Sequence, residues 1–356
     1  MRWSSSTRLR EIRRTVPAVA GLVLLPALMA CMDEEVRERP LHEGPVEPGE
    51  RTWLPAEWDT LWALGGPDDE TLQLPMRLRP HSEGLVVWDQ GRWQVLSFDE
   101  TGELEWSFGS EGQGPDEFQD VPDLQVTPEG RTFVYDHGNQ RVTILDREGA
   151  VEKRVGLADV PRSNTLAIPG DSLLVFVSLS GPDDPLWAVD LEGEVVHRGN
   201  LPWEGFNDLS AISRQGNVHS RGDRWAYAFL LTNGWFGFQA LEPLEHLGGF
   251  VEHQGLPGVA ERSGGGERTQ RLTERPTCTA CSLSITDSVL AVHFGGHQER
   301  AARTLDLHRW ENGEYLGSWE LPEPAREAML DGRRAYSLRA DPFPVITAFR
   351  RVESDD

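Results

Sequence analysis

Val86–Gly102 reads VVWDQGRWQVLSFDETG, and Phe133–Gly149 reads FVYDHGNQRVTILDREG. Laid over one another without a gap, at a shift of 47 residues, they agree in kind along their length. Trp88 meets Tyr135, Asp89 meets Asp136, Gly91 meets Gly138, Val95 meets Val142, Asp99 meets Asp146 and Gly102 meets Gly149. A self-match at a period of 40–50 residues marks a repeat architecture, in which each repeat is one supersecondary unit. Here the unit is a small antiparallel sheet. Short apolar runs (Leu85–Asp89, Trp93–Asp99) are separated by turn residues, and Asp99-Glu100-Thr101-Gly102 supplies a hairpin turn. Leu104, Trp106 and Phe108 then alternate on one face of the following strand.

Between the two copies lies GSEGQGPDEFQDVPDLQV (Gly109–Val126). A Gly-rich connection, then Phe118, Pro122 and a strand, then Asp136-x-Gly138-Asn139-x-Arg141-Val142, resembles the NHL-type repeat of six-bladed β-propellers. The resemblance covers about residues 72–156. It implies that the Gly-rich segment connects blades and that the strand after the Pro starts a blade near the central channel. It also implies that Asp136 and Asn139 hold their turn by side-chain-to-backbone bonds while Gly138 supplies the unusual backbone angle. Asp89 and Gly91 stand in the same places one unit earlier.

Working outward, a third unit is read in LLVFVSL (Leu173–Leu179), LWAVD (Leu186–Asp190) and GEVVHRG (Gly193–Gly199). The fourth is read in AISRQG, RWAYAFLLT, WFGFQAL and LEHLGGFV, with Asn233-Gly234 as a turn. The fifth is SLSIT, SVLAVHFGG, TLDLHRW and EYLGSWEL, and the sixth is AMLDG, RAYSLRA and VITAFRRV. The sixth runs out of chain after three strands, while the first strand, from Trp58, has no unit of its own. Ring closure by that N-terminal strand solves both problems and leaves only short protected edges. The expectation is an all-β, six-bladed β-propeller over residues 58–352, about 49 residues per blade. Residues 256–282 are an insertion between blades 4 and 5, and 353–356 a short tail. Strand counting alone leaves five or seven blades open.

The first residues give an address. Arg2, Arg8, Arg10, Arg13 and Arg14 precede the apolar run Val16–Ala30, which is too short to span a membrane and is interrupted by Pro17 and Pro26. Leu28-Met29-Ala30-Cys31 resembles the lipobox of bacterial lipoproteins. The resemblance implies a signal peptide over 1–30, a lipidated Cys31 and membrane attachment through that lipid. By analogy with Gram-negative sorting, Met32 points to the outer membrane of the cell envelope rather than retention at the inner one. Residues 31–57, rich in Glu, Pro and Arg, read as a flexible tether.

Composition narrows the partners. The chain has 356 residues, 34 basic and 58 acidic. Taking away the five Arg and one Glu of residues 1–30 leaves 29 and 57, a formal charge of −28. Such a surface repels nucleic acid and anionic lipid headgroups.

Chemistry has two candidate places. In the insertion, Cys278-Thr279-Ala280-Cys281 is followed by His293 and His297, a C-x2-C-x11-H-x3-H spacing that approaches a zinc finger. A finger sets both His on one helix face, but SVLAVHFGGH reads as a strand entering a turn. In an exported chain the thiols point first to a disulfide or plain loop thiols, next to a redox or labile pair, and third to a metal held by Cys278, Cys281, His293 and His297. Ser282 after Cys281 argues against haem attachment, and no βαβ setting supports a thioredoxin-like site. The second place is the central channel. Propellers of the gluconolactonase type hold calcium or zinc there on carboxylates and an amide, and NHL-type lyases use channel His and Tyr with zinc. His137, His219 and His293 are the candidates for such a site. No GxSxG, HExxH or phosphate loop is present. Of thirteen Trp, those near turns (Trp93, Trp187, Trp203) are candidates for stacking on sugars or anchoring a partner.

The reading is therefore a lipid-anchored, non-catalytic envelope propeller that binds a protein, peptide or glycan through loops on one face, with no cofactor expected. The alternative is a hydrolase or lyase dependent on calcium or zinc, acting in the channel.

Overall fold

Gly84–Asp89 is buried at every position, and its side chains alternate between two separate cores. Leu85 and Val87 enter one apolar cluster, and Val86 and Trp88 enter another. A strand buried on both faces belongs to a sheet stacked between two others, and its sequence reads as a continuous apolar run for that reason. The computed structural model describes residues 51–179, 184–202, 205–206, 209–231, 234–248, 251, 259–264, 267–272, 278–295, 300 and 302–352.

The strands in chain order are β1 (Glu57–Gly65), β2 (Pro75–His81), β3 (Gly84–Asp89), β4 (Gln94–Asp99) and β5 (Leu104–Phe108). Then come β6 (Asp123–Val126), β7 (Thr132–Asp136), β8 (Arg141–Leu145) and β9 (Val151–Gly156), followed by β10 (Leu173–Val177), β11 (Leu186–Asp190) and β12 (Val195–Gly199). The second half holds β13 (Gly216–Arg221), β14 (Arg224–Phe229), β15 (Trp235–Gln239), β16 (Glu242–Gly248), β17 (Val259–Gly264) and β18 (Glu267–Leu272). It ends with β19 (Ser282–Ile285), β20 (Val289–Phe294), β21 (Thr304–Arg309), β22 (Tyr315–Glu320), β23 (Glu327–Asp331), β24 (Arg334–Arg339) and β25 (Val345–Val352).

These strands make six blades in a ring. Blade 1 is β2-β3-β4-β5, blade 2 is β6-β7-β8-β9, blade 3 is β10-β11-β12, blade 4 is β13-β14-β15-β16 and blade 5 is β19-β20-β21-β22. Blade 6 is β23-β24-β25 with β1 as its outer strand, in antiparallel register from Glu57↔Val352 to Gly65↔Val345. The N-terminal strand thus closes the ring. Six apolar clusters fill the six interfaces, each drawing on two neighbouring blades. The cluster between blades 6 and 1, for example, joins Leu85, Val87 and Phe98 to Met329, Tyr336 and Ile346. One core per interface is the arithmetic of a closed six-bladed β-propeller.

Repeated Asp and Trp residues tie one blade to the next. The Asp99 carboxylate accepts the amides of Thr101 and Glu103, Asp146 those of Glu148 and Ala150, and Asp190 those of Glu192 and Glu194. Each turn closes at a glycine with positive φ, 87° at Gly102, 81° at Gly149 and 93° at Gly193. The bare Cα of Gly102 receives the ring of Trp62 from the previous blade, whose indole N–H donates to Glu100 O at 2.9 Å. Trp106 repeats this on Gly149, donating to Arg147 O at 2.8 Å.

Several boundaries differ from the sequence reading. Residues 51–54, read as tether, lie against blade 5. Leu54 N–H donates to Ser318 O and Ser318 N–H to Thr52 O, and Arg51 makes a two-pronged ion pair with Asp306 at 2.9 and 3.0 Å. The inner strand of blade 4 is Gly216–Arg221, not AISRQG. Ser210 Oγ accepts Ser213 N–H, and Arg214 N–H reaches Ser210 O, which curls that stretch into a turn. In blade 3 no regular inner strand forms; Ser163 and Ala167 make isolated bridges to β10 at Ser178 and Val175. The insertion holds the hairpin β17-β18, while Ser282, placed at its end, begins β19 of blade 5. Cys31, His297, Trp203, Asn233 and the 353–356 tail lie outside the described residues.

Candidate functional site

The innermost strands run side by side around the axis, and their side chains meet there. Arg79 on β2 donates to Asp123 on β6 at 2.6 Å and to Glu327 on β23 at 3.2 Å. Glu327 also accepts Leu78 N–H, and Asp123 accepts Leu166 N–H from blade 3 at 3.0 Å. Gln125 bridges β6 to β13, giving its amide to Val218 O at 3.1 Å and accepting Ser220 N–H at 3.1 Å. Ser220 Oγ accepts Ile168 N–H, and Ser284 Oγ accepts Leu330 N–H. All six blades are joined by polar side chains that are themselves buried. Burial pushes the carboxyls of Asp123 and Glu327 up, and the guanidiniums of Arg79 and Arg77 oppose it. The axis is therefore filled by a polar plug.

The three histidines proposed for a channel site do not meet. His219 faces the axis, but its Nδ1 accepts Ile285 N–H at 3.1 Å, and burial holds it neutral. His293 is wholly buried in β20, its Nε2 stands 3.2 Å from Ala302 O, and burial lowers its pKa to about 4. His137 sits on the turn between β7 and β8, 3.2 Å from the Tyr135 hydroxyl. Among the described residues no three His, Cys, Asp or Glu side chains converge as metal ligands would.

The NHL-like motif holds its turn through Asp136, as expected, and has a second task. Asp136 accepts Asn139 N–H of its own turn but also Asp120 N–H, at 3.0 Å, from the connector between blades. Asn139 and Arg141 donate to Gly112 O, Gly114 O and Glu117 O of the same connector. Asp89 does likewise one unit earlier, accepting Gln73 N–H at 2.7 Å and Leu74 N–H at 2.9 Å. The positive φ lies at Trp93 (56°) and Gln140 (49°), not at Gly91 or Gly138. Those glycines are needed for close approach. A Cβ on Gly138 would stand 2.7 Å from Gln119 Cβ, and one on Gly91 would stand 2.7 Å from Gln73 Cβ. The motif thus clamps each connector to the blade that follows it.

Above the plug, on the face that carries the connectors, a cavity of about 250 Å³ opens at the axis. Its wall comes from the starts of the inner strands of blades 1, 4 and 6 (Met76, Arg77, Gln215–Asn217, Arg326 and Glu327) and from Asn164 in the irregular stretch that precedes β10 of blade 3. Cys278 and Cys281, which precede blade 5, complete it and are joined by a disulfide. Asn217 Nδ2 holds the disulfide loop through Ala280 O and Cys281 O at 2.8 and 3.1 Å. Arg326 lies at the rim, its guanidinium against Met76 Sδ at 3.1 Å. Two guanidiniums and three amides thus meet at one opening on a strongly acidic chain. A larger groove of about 540 Å³ on blade 1, lined by Asp68, Asp69, Glu70 and Arg92, takes nothing from the inner strands. Trp93 packs edge-on against Trp88, and Trp187 is covered by Arg198 at 4.0 Å, so both rings are already engaged. Sequence reasoning found the Cys pair but missed Arg77, Asn164, Asn217 and Arg326. For Arg77, Asn217 and Arg326 the only signal is position, at the start of an inner strand.

No family model matches the chain, and no curated protein matches its sequence. Solved structures do resemble it. A protein named as exported, from Bacteroides fragilis NCTC 9343, is 10% identical with a TM-score of 0.55, over 87% of this chain and 98% of that one. A member of the DUF4221 family from Bacteroides vulgatus ATCC 8482 is 10% identical with a TM-score of 0.50, over 84% and 99%. Virginiamycin B lyase from Staphylococcus aureus is 12% identical with a TM-score of 0.48, over 83% and 100%. At such identities the likeness is one of fold, and that of the two Bacteroides proteins agrees with the six stacked sheets: this chain is a six-bladed β-propeller.

Proposed function

We propose that this propeller is a lipid-anchored, non-catalytic binding module of the bacterial cell envelope, holding a protein, peptide or glycan at the mouth on its connector face. The observation that carries the reading is the plug. Arg79, Asp123, Glu327 and Gln125 satisfy one another and the inner-strand backbone, so the axis is occupied by structural bonds. The cavity above them offers amides and guanidiniums from four of the six blades, and the Cys278–Cys281 disulfide at the start of a fifth. A pocket with few convergent polar groups on a rigid scaffold is the default binding site of such a fold. The Arg-rich start, the apolar run and Leu28-Met29-Ala30-Cys31 support the lipid anchor and the outer-membrane address. The acidic surface argues against nucleic acid as the partner.

Two measurements test this. Growth of a Gram-negative host on radiolabelled palmitate should label the chain, and Cys31→Ser should abolish the label; an unlabelled wild-type chain refutes the anchor. A photo-crosslinking amino acid at Asn164, in the mouth, should yield a discrete adduct in cells. The same probe at Glu148, on the opposite end of blade 2, should not. Equal yields from the two positions would remove the mouth as the binding face.

A further inference from the structure

The Cys278–Cys281 disulfide stands in the wall of the mouth cavity, and both cysteines are half-buried, not enclosed. We infer that it is a thiol–disulfide exchange site, which oxidises a dithiol on a partner held at the mouth. The inference rests on the mouth being the binding face.

As a structural staple this bridge has little to do. It joins residues three apart in one segment, and the chain entropy a disulfide removes from the unfolded state is least for the shortest loops. The segment is fixed independently of the sulfurs. Thr279 N–H donates to Leu230 O at 2.7 Å, Cys281 N–H to His293 O at 2.9 Å and Gly295 N–H to Cys278 O at 3.2 Å. Asn217 holds the carbonyls of Ala280 and Cys281. Opening the S–S bond therefore leaves the loop in place. Gly295 packs its bare Cα against both sulfurs, where an added Cβ would collide with them. Access is thus from the cavity side. There the sulfurs share the wall with Arg77, which stands 3.9 Å from Asp123, with Glu327, which is paired to Arg79, and with the exposed Arg326; the Arg326 charge attracts an incoming thiolate and favours the thiolate that leaves.

The exchange balances. A partner thiolate attacks one sulfur, the Cys278–Cys281 bond breaks, and the other cysteine leaves as a thiolate. The partner's second thiolate then attacks the partner sulfur of the mixed disulfide. The partner gains a disulfide, Cys278 and Cys281 are reduced, and two electrons and two protons have moved to this chain. The pocket lies on an all-β scaffold, so the pair owes its placement to the inner-strand ring and not to a helix terminus.

The test uses the full chain in detergent, with dithiothreitol as the dithiol and glutathione as the monothiol. Alkylation and mass spectrometry read the thiols, and tryptophan fluorescence reads the fold. The pair should be reduced by dithiothreitol and reoxidised by oxidised glutathione with no change in fluorescence. Cys281→Ser or Cys278→Ser should accumulate a glutathione adduct on the remaining cysteine. Arg326→Glu, at the rim, should slow reaction with anionic glutathione by roughly fivefold while leaving the unfolding midpoint unchanged. A pair that reacts only once urea has unfolded the ring overturns the inference, as does reduction that itself unfolds the protein. Crosslinking from Asn164 that survives in the Cys278→Ser/Cys281→Ser chain, beside an inert disulfide, would leave the binding face standing and remove the exchange.

Discussion

Replacing Arg79 with Met tests the plug directly. The guanidinium bonds Asp123 at 2.6 Å and Glu327 at 3.2 Å, and all three side chains are nearly enclosed, with relative exposures of 5%, 2% and 5%. Methionine fills a similar volume but carries no charge, so two carboxylates are left in the interior without their shared cation. Breaking a buried pair by removing one partner costs about 3–5 kcal/mol. At a urea slope of about 3 kcal/mol per M, the midpoint falls by roughly 1 M or more. The sign of the pH dependence follows from the direction of the carboxyl shifts. Both are already raised by burial, and losing Arg79 raises them further. A carboxyl raised in the folded state binds more protons there than in the unfolded chain. Its cost is present above the folded pKa and is relieved as pH falls through it towards the unfolded value near 4. The gap between wild type and Arg79→Met should therefore be widest at pH 7.5 and narrower at pH 5. Adding Glu327→Gln should recover part of the loss at pH 7.5, since one buried charge is then gone. Urea unfolding followed by fluorescence at both pH values reads all of this. A gap below about 1 kcal/mol, or one of equal size at the two pH values, would mean that the plug is not an interior charge network.

Other consequences follow from particular contacts. Gly138→Ala should cost about 1–3 kcal/mol, because its Cβ would meet the connector at Gln119, while Gly156→Ala, with open space around it, should be neutral in the same melt. Excising the β17-β18 hairpin, which pairs with no blade, should leave the unfolding midpoint unchanged and weaken Asn164 crosslinking; a lost fold would show the hairpin to be part of the ring. Deleting residues 51–65 uncovers β25 and the Tyr336–Ile346 core beneath Trp62, so size-exclusion chromatography should find aggregate or dimer where the parent runs as one species. His293 is held at about 4 against 6.5 for the free side chain, so the unfolded chain takes its proton first. Its contribution is fully present above pH 6.5 and is lost as pH falls from 6.5 to 4, about 3 kcal/mol in all; His293→Phe should flatten the acid limb of the stability curve by that much.

What was legible in the sequence, and what was not, divides by where a strand faces. β3, β4, β7 and β8 bury both faces in apolar interfaces, so Leu85–Trp88 and Phe133–Tyr135 announce themselves as strands, and the Asp-x-x-Gly turns at 99, 146 and 190 punctuate them. Ring closure was legible too, since a lone strand at one end and a three-stranded unit at the other have one economical solution. The inner strands obey another rule. They border the axis, so Leu78, Leu124, Val218 and Leu283 enter the apolar interfaces while the residues beside them bond to other inner strands. GNVHSR of β13 thus looks like a loop, while AISRQG, with its apolar Ile212, looks like the strand beside it. Arg79, Asp123, Gln125, His219, Ser220, Ser284 and Glu327 are as buried as the core. They carry no apolar signature because they bond to one another instead of excluding water. A burial argument built on hydrophobic pattern is blind to such a set, and pairing across 44 to 248 positions is invisible to local periodicity.

The same division explains why the candidate site escaped the sequence while the fold did not. The mouth residues of blades 1, 4 and 6 are the first polar position of an inner strand or the residue just before it: Arg77, Gln215, Asn217, Arg326 and Glu327. The types do not follow the repeat: Arg comes from blades 6 and 1, Asn from blades 3 and 4, and the disulfide from the start of blade 5, so the site has no repeat signature even though its scaffold does. Repetition between blades 1 and 2 is imposed by what both must do, namely clamp the preceding connector through Asp89 or Asp136 and seat the tryptophan of the previous blade on Gly102 or Gly149. What differs between blades is free of that duty. In a closed ring the differences at the inner-strand starts are brought to one point, and they lie beside the one disulfide among the described residues. Specificity in this chain is therefore to be sought where the six units disagree. Arg326, Asn164 and the Cys278–Cys281 pair meet that description, and the repeated Asp-Gly motif does not.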